Sequence, residues 1–140
     1  MNDIYIVSGS RTPMGAFQGS LSTMSAVDLG AAAISETINR AGIAPDSVDE
    51  VIMGNVLSAG LRQGPARQAA MDAGIPVGIG ATTINKLCGS GMKATMLSHD
   101  LIAAGTNDVM VAGGMESMTN APYLIAKARG GMRMGHGEIQ

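Results

Sequence analysis

Apolar positions recur with two alternating periods up to about residue 114, and each change of period is marked by Gly, Pro or a capping residue. Residues 4–8, Ile-Tyr-Ile-Val-Ser, are β-prone and predict a buried strand. Ser10-Arg11-Thr12-Pro13 ends it, and a loop with glycines at 15 and 19 follows. Helical spacing then takes over. Val27, Ala31, Ile34 and Ile38 share one side of a helix predicted over 26–41. Ser25 is its N-cap, Asp28 lies in its first turn, Glu36 and Arg40 stand one turn apart, and Gly42 stops it.

A second strand is predicted within 48–57, around Val51-Ile52-Met53. A helix then opens with Pro65 and closes at Gly74. The third strand is expected over 81–85, a helix over 88–104 and a fourth strand over 108–112, ended by Gly113-Gly114. Strands alternating with helices at this spacing imply βαβ units: an α/β fold with a mostly parallel sheet, admitting a mixed one, and helices on both faces. Beyond Met115 the periodicity is lost. Residues 116–122 read as loop, and Lys127, Arg129 and Arg133 lie among glycines with no closing strand or cap, as in an insertion cut short.

The helix over 88–104 is apolar on two sides. Met92, Met96 and Ala103 share one, while Ala94, Leu97 and Leu101 share the other. Such a helix is expected to be buried on both, and the predicted sheet covers only one.

Composition sharpens that expectation. Only 14% of residues are charged, against a typical ~25%, so a large interface or a missing half of the chain is expected to cover apolar surface. A net charge of −2 argues against a nucleic-acid partner. One cysteine excludes an internal disulfide or a zinc cluster and suits a reducing compartment. The start has no basic, then long apolar, leader pattern, and the uncharged stretch 73–85 is too short and too rich in Gly and Pro to span a bilayer, so no membrane partner and a cytoplasmic location are expected. The twelve methionines are read as fillers of an irregular core.

The one thiol, Cys88, falls in Asn85-Lys86-Leu87-Cys88-Gly89-Ser90-Gly91-Met92, between a predicted strand and helix. First-turn N–H groups lack intrahelical acceptors and the helix dipole is positive there, which favours a nucleophilic thiolate. Gly89 and Gly91 would let a ligand approach the backbone closely, and backbone N–H groups, including that of Cys88, suit the oxyanion formed when a thiolate attacks a thioester. A lone cysteine at a helix start is, by itself, more often an inert small hydrophobe. A rival reading takes Gly89-Ser90-Gly91-Met92-Lys93-Ala94 as a dinucleotide fingerprint with Asp108 as the ribose acid, but Asp108 precedes its strand instead of following it. His99 lies eleven residues past Cys88, about 16 Å along a helix, and is not the base of that thiol. His136 in the glycine-rich tail carries no assignment, no metal-ligand spacing is present, and Lys127, Arg129 and Arg133 suit either ligand phosphates or a solvated loop.

The stretch 85–91 resembles the acyl-cysteine motif of the thiolase family. Ser-Arg-Thr-Pro-Met-Gly at 10–15, Val-Asp-Glu-Val-Ile-Met-Gly-Asn-Val-Leu at 48–57, Pro-Ala-Arg-Gln-Ala at 65–69 and Ala-Gly-Gly-Met-Glu-Ser-Met at 112–118 resemble the same family in the same order. The likeness covers essentially the whole chain and is closest to bacterial acetyl-CoA acetyltransferases. Gly64 departs from it, since the family usually has Asn there, and the change falls at a helix cap.

The resemblance implies a thiolase-like N-terminal half over residues 1–119, with a buried central helix after the nucleophile, and the start of a truncated loop domain over 120–140. It implies acyl transfer between CoA thioesters. Cys88 would take an acyl group from acetyl-CoA, and a second acetyl-CoA would condense with it to give acetoacetyl-CoA and CoA, reversibly. CoA and acetyl-CoA would be substrates, with no permanently bound cofactor. The activating His, a second Cys, an Asn-bound water site and most CoA contacts would come from the other half, which would also cover the central helix. A homo-oligomer, dimer or tetramer, is implied for the full-length form. The alternatives are a catalytically incomplete fragment acting only with a partner half, or a dinucleotide-binding module.

Overall fold

The computed structural model describes residues 3–140. Its centre is a parallel sheet of β1 (Glu50–Gly54), β2 (Gly80–Ile84) and β3 (Met110–Gly114), in the order β2-β1-β3. The register sets Val51 opposite Ala81 and Val111, and Ile52 opposite Thr82 and Ala112. Helices α1 (Ala26–Ala41) and α2 (Pro65–Asp72) pack together on one face, and α3 (Ser90–Ala103) lies on the other against β1 and β3. The α/β architecture expected from the alternation of elements is therefore present, with helices on both faces.

α1 is bounded as its sequence implies. The Ser25 hydroxyl accepts the Asp28 N–H at 3.1 Å, and the Asp28 carboxylate accepts the Ser25 N–H at 2.8 Å, a reciprocal capping box. The hydrogen bond from the Ser25 side chain, then that from its backbone, holds the Asp28 carboxyl below the usual range. Gly42 closes the helix in the left-handed region at φ 67°, and Arg40 pairs with Glu36 at 2.6 Å. Val27, Ala31, Ile34 and Ile38 are all buried. Ile34, Val48 and Val51 are the largest fully buried side chains, each contributing about 1.5–3 kcal/mol of burial, so the main core lies between the sheet and the α1/α2 layer.

α2 has no side-chain cap of its own. Gly64 sits at its N-cap with φ 57° and ψ 63°, and the first-turn N–H of Ala66 donates instead to Thr83 Oγ1 on β2 at 2.9 Å. The cap that Gly64 lacks is thus supplied by a neighbouring strand.

Two sequence expectations are corrected. Residues 4–8 do not form a buried strand: they pair with no strand, and Tyr5, Ile6 and Val7 are exposed. Alternation makes a strand possible, but a strand needs a partner edge. This segment is instead tied along α1 where Ser8 Oγ donates to Thr37 O at 2.8 Å and Ser10 Oγ to Ala33 O at 2.7 Å. The last strand begins at Met110, not 108, because the N–H groups of Asp108 and Val109 are taken by the Asp49 carboxylate at 2.7 and 2.8 Å. Those two donors, Val109 first, hold the Asp49 carboxyl below the usual range.

Beyond β3, the loop expected over 116–122 contains a short helical turn, Met118–Asn120, docked on the early loop: Ser117 Oγ donates to Met24 O at 3.0 Å, and Asn120 Nδ2 to Met24 O at 2.8 Å and Ser22 O at 3.0 Å. The remaining residues to Gln140 are exposed, with Leu124 and Gln140 exchanging backbone hydrogen bonds of 2.7 and 2.9 Å.

Candidate active site

Cys88 lies just before α3, not within it. The helix predicted from residue 88 begins at Ser90, with Gly89 as N-cap. Two backbone features move the start. Leu87 is in the left-handed region at φ 51°, which a non-glycine residue adopts at a cost of order 1–3 kcal/mol, and Gly89 has φ −92° and ψ 7°.

The turn is held by its own hydrogen bonds. Lys86 N–H donates to Ser90 Oγ at 2.8 Å, Leu87 N–H to Asn85 Oδ1 at 2.9 Å, Gly89 N–H to Lys86 O at 3.1 Å and Ser90 N–H to Leu87 O at 3.0 Å. Ser90 Oγ also donates to Leu87 O at 2.6 Å, so a buried hydroxyl braces the turn from inside. Among the described residues, only the Cys88 N–H of this run has no acceptor in hydrogen-bonding geometry. The thiol itself is free and exposed.

Cys88 opens on a cleft of about 510 Å³ at the carboxyl edge of the sheet, the edge where α/β folds bind ligands. Val56, Leu57, Leu87, Met115 and Met118 give it an apolar wall, and Glu116 is its one charged lining residue. In the sequence Glu116 is marked only by its place in the motif at 112–118.

Glycines set how α3 meets the sheet. A Cβ on Gly54 would stand 2.5 Å from Ser90 Cβ and 2.7 Å from the Ser90 carbonyl carbon, so no side chain fits there. A Cβ on Gly91 would meet Gly113 and Gly114 of β3 only at ordinary contact distances of 3.7–3.8 Å, so packing against the strand does not demand glycine there. Gly89 and Gly91 both lie in the turn-to-helix junction, and packing demands glycine at neither position.

Only small residues of α3 are fully buried: Ser90, Ala94 and Ser98. Leu97 and Leu101 are half-buried beside them, whereas Met92, Met96 and Ala103 are exposed. The two apolar sides read from the sequence are both real, and the sheet covers one. The helix expected to be buried all round is covered here on one side only.

The groups the sequence set aside stay apart from the thiol. His99 is exposed and its Nδ1 lies 3.2 Å from Asp100 Oδ1. Lys127, Arg129, Arg133 and His136 are exposed on the final segment, where Lys127 Nζ donates to His136 O at 3.2 Å. Asp108 lies at the amino edge of the sheet, opposite the Gly89–Gly91 turn, so it is not placed to serve that turn as a ribose acid. Among the described residues no three His, Cys, Asp or Glu side chains group to hold a metal ion, and no helix is long and apolar enough to cross a membrane.

A parallel sheet presenting one exposed thiol on a strand-to-helix turn defines an α/β unit built around a cysteine. The family model described as Thiolase, N-terminal domain, matches residues 4–140, and the chain belongs to the thiolase family. It is 55% identical over 137 residues to acetyl-CoA acetyltransferase 2 of Arabidopsis thaliana, covering 98% of this chain and 34% of that protein. It is 51% identical over 139 residues to an acetyl-CoA acetyltransferase of Pseudomonas aeruginosa, covering 99% of this chain and 35% of that protein. The crystal structure of the Acat5 thiolase from Ascaris suum in complex with coenzyme A superposes with a TM-score of 0.93 at 41% identity, over 99% of this chain and 36% of the other. The chain therefore spans about a third of the length of the relatives it matches.

Proposed function

We propose that this chain supplies the nucleophile of an acetyl-CoA acetyltransferase, with Cys88 as the acyl carrier. The observation that carries the reading is the exposed thiol on an apolar cleft, whose own backbone N–H is left without an acceptor. The thiolate attacks the carbonyl carbon of acetyl-CoA, and the Cys88 N–H donates to the oxyanion that forms. When the C–S bond to CoA breaks, CoA leaves as a thiolate and takes up a proton, and the acetyl group remains on Sγ. A second acetyl-CoA, deprotonated at its α-carbon, attacks the acetyl carbonyl. The Sγ–acyl bond breaks, the cysteine is regenerated and acetoacetyl-CoA departs. Gly89 and Gly91 are proposed to let the thioester approach the turn closely.

The base for the α-carbon and the group that activates the thiol are proposed to lie outside this chain, in a C-terminal half that also covers the Met92/Met96 face of α3. Residues 1–119 would be the thiolase-like domain and 120–140 the start of a loop domain, in a homo-oligomeric cytoplasmic protein that keeps no bound cofactor. In the full-length gene product, labelled acetyl-CoA should leave label on the protein and Cys88→Ser should remove it. Label retained by that variant would sink the assignment.

A second reading treats the chain alone as catalytically incomplete. It is favoured by the position of His99, exposed and paired with Asp100 and not set against the thiol. Acetoacetyl-CoA formation by the isolated 140-residue chain would refute it.

A further inference from the structure

Glu116 lies two residues past β3 and lines the Cys88 cleft, a position from which a carboxylate invites an acid–base role. Most of its acceptor sites are engaged elsewhere. Oε1 accepts from Asn55 Nδ2 at 3.0 Å and from Leu57 N–H at 3.0 Å, and Oε2 accepts from Val56 N–H at 2.9 Å. Hydrogen bonds to a charged acceptor are the strong class, and these hold the residues that leave β1. Asn55 adds two more ties. Its N–H donates to Ile84 O at 3.0 Å, and its Nδ2 also donates to Met115 O at 3.1 Å. The carboxyl ends of all three strands are thereby joined.

From Val56 the connection runs on to the thiol. Val56 O accepts from Asn85 Nδ2 at 3.5 Å, a long bond, and Asn85 Oδ1 accepts from Leu87 N–H at 2.9 Å. Leu87 is the residue at φ 51° immediately before Cys88. A carboxylate on one strand end is thus linked, through the peptide joining Val56 to Leu57 and the Asn85 amide, to the strained residue that aims the cysteine. We propose that Glu116 is a positioning residue for Cys88, acting through Val56 and Asn85 to fix the turn and the Val56–Leu57 wall of the cleft.

A Gln at 116 keeps the shape but turns an N–H donor toward one of the donors the carboxylate now satisfies. The relay is weakened while the thiol stays exposed. The inference rests on Cys88 as acyl carrier, and two reactions of the full-length protein separate its failure from failure of that reading. Single-turnover acylation by saturating labelled acetyl-CoA needs the thiol aimed and the wall in place. Alkylation by iodoacetamide needs only an accessible thiol.

Glu116→Gln is expected to slow acylation about tenfold to a hundredfold, the scale of a small misplacement, with alkylation within about twofold of the parent. Asn85→Ala removes the last link without touching Glu116 and should give the same split, which keeps the test open should the first variant fold poorly. Acylation at the parent rate in a folded variant overturns the positioning role, as does a parallel fall in both reactions. A parent protein that takes no label on Cys88 overturns the acyl-carrier reading, and this inference with it.

Discussion

Gly54 and Ser90 approach so closely that a Cβ on the first would stand 2.5 Å from that of the second. Gly91, one residue further along α3, offers a Cβ ordinary contacts of 3.7 Å. Gly54→Ala should therefore push the start of α3 from β1, costing at least the ~1–3 kcal/mol typical of overpacking, while Gly91→Ala should stay within about 0.5 kcal/mol of the parent. Denaturant titration of the two variants checks this, and equal destabilisation would contradict the seating described for α3.

The hydrogen bond between Thr83 and Ala66 makes a prediction about α2. Thr83→Val keeps the branched shape and removes the acceptor, so stability should fall by about 0.5–2 kcal/mol, the range for a lost cap. Gly64→Asn should recover part of that loss, because Asn tolerates the left-handed region that Gly64 occupies and brings a capping oxygen. A double-mutant cycle would expose the compensation as non-additivity.

Acid should weaken the fold through Asp28 and Asp49. Both carboxyls titrate lower in the folded chain than in the unfolded one, so the unfolded state binds protons first as pH drops. Their contribution is complete above the ordinary aspartate value of about 3.9 and is lost as pH falls through the lowered folded values. Asp28→Asn and Asp49→Asn should each flatten the decline in stability below about pH 4, as read by thermal melts across pH. An unchanged slope would mean those hydrogen bonds do not persist in solution.

The exposed Met92 and Met96 give opposite expectations in two settings. In the isolated chain, Met92→Gln with Met96→Gln should reduce self-association and binding of an apolar dye. In the full-length protein, where the proposed second half covers them, the same pair should destabilise by about 1–3 kcal/mol. Light scattering and thermal melts distinguish the cases. No effect in the full-length protein would leave that face uncovered.

Much of this architecture is legible in the sequence because it is local. Ser25, Asp28 and Gly42 bound α1 through interactions within a turn of each end, and the apolar spacing of Val27 to Ile38 fixes its buried side. Legibility fails where a distant group decides. Nothing near Asp108 reveals that Asp49 will take its N–H, and nothing near residue 64 reveals the cap from Thr83. Residues 4–8 have the pattern of a strand, but pattern does not supply a partner edge. Cys88 stood out as the lone cysteine between a strand and a helix signal, whereas the bonds of Glu116 to residues 55–57 cross about sixty positions that no periodicity links.

The small-residue seam of α3 has a consequence for how the thiol is kept in order. Ser90, Ala94 and Ser98 let the helix lie close to the sheet but remove little apolar surface from water. Met92 and Met96 point the other way, and Leu97 and Leu101 are only half-buried, so the helix gains further support from whatever meets the two methionines. The cysteine turn is continuous with that helix. Docking of the proposed second half on the outward face would then be a checkpoint for chemistry, because it would steady the helix that continues from the cysteine turn.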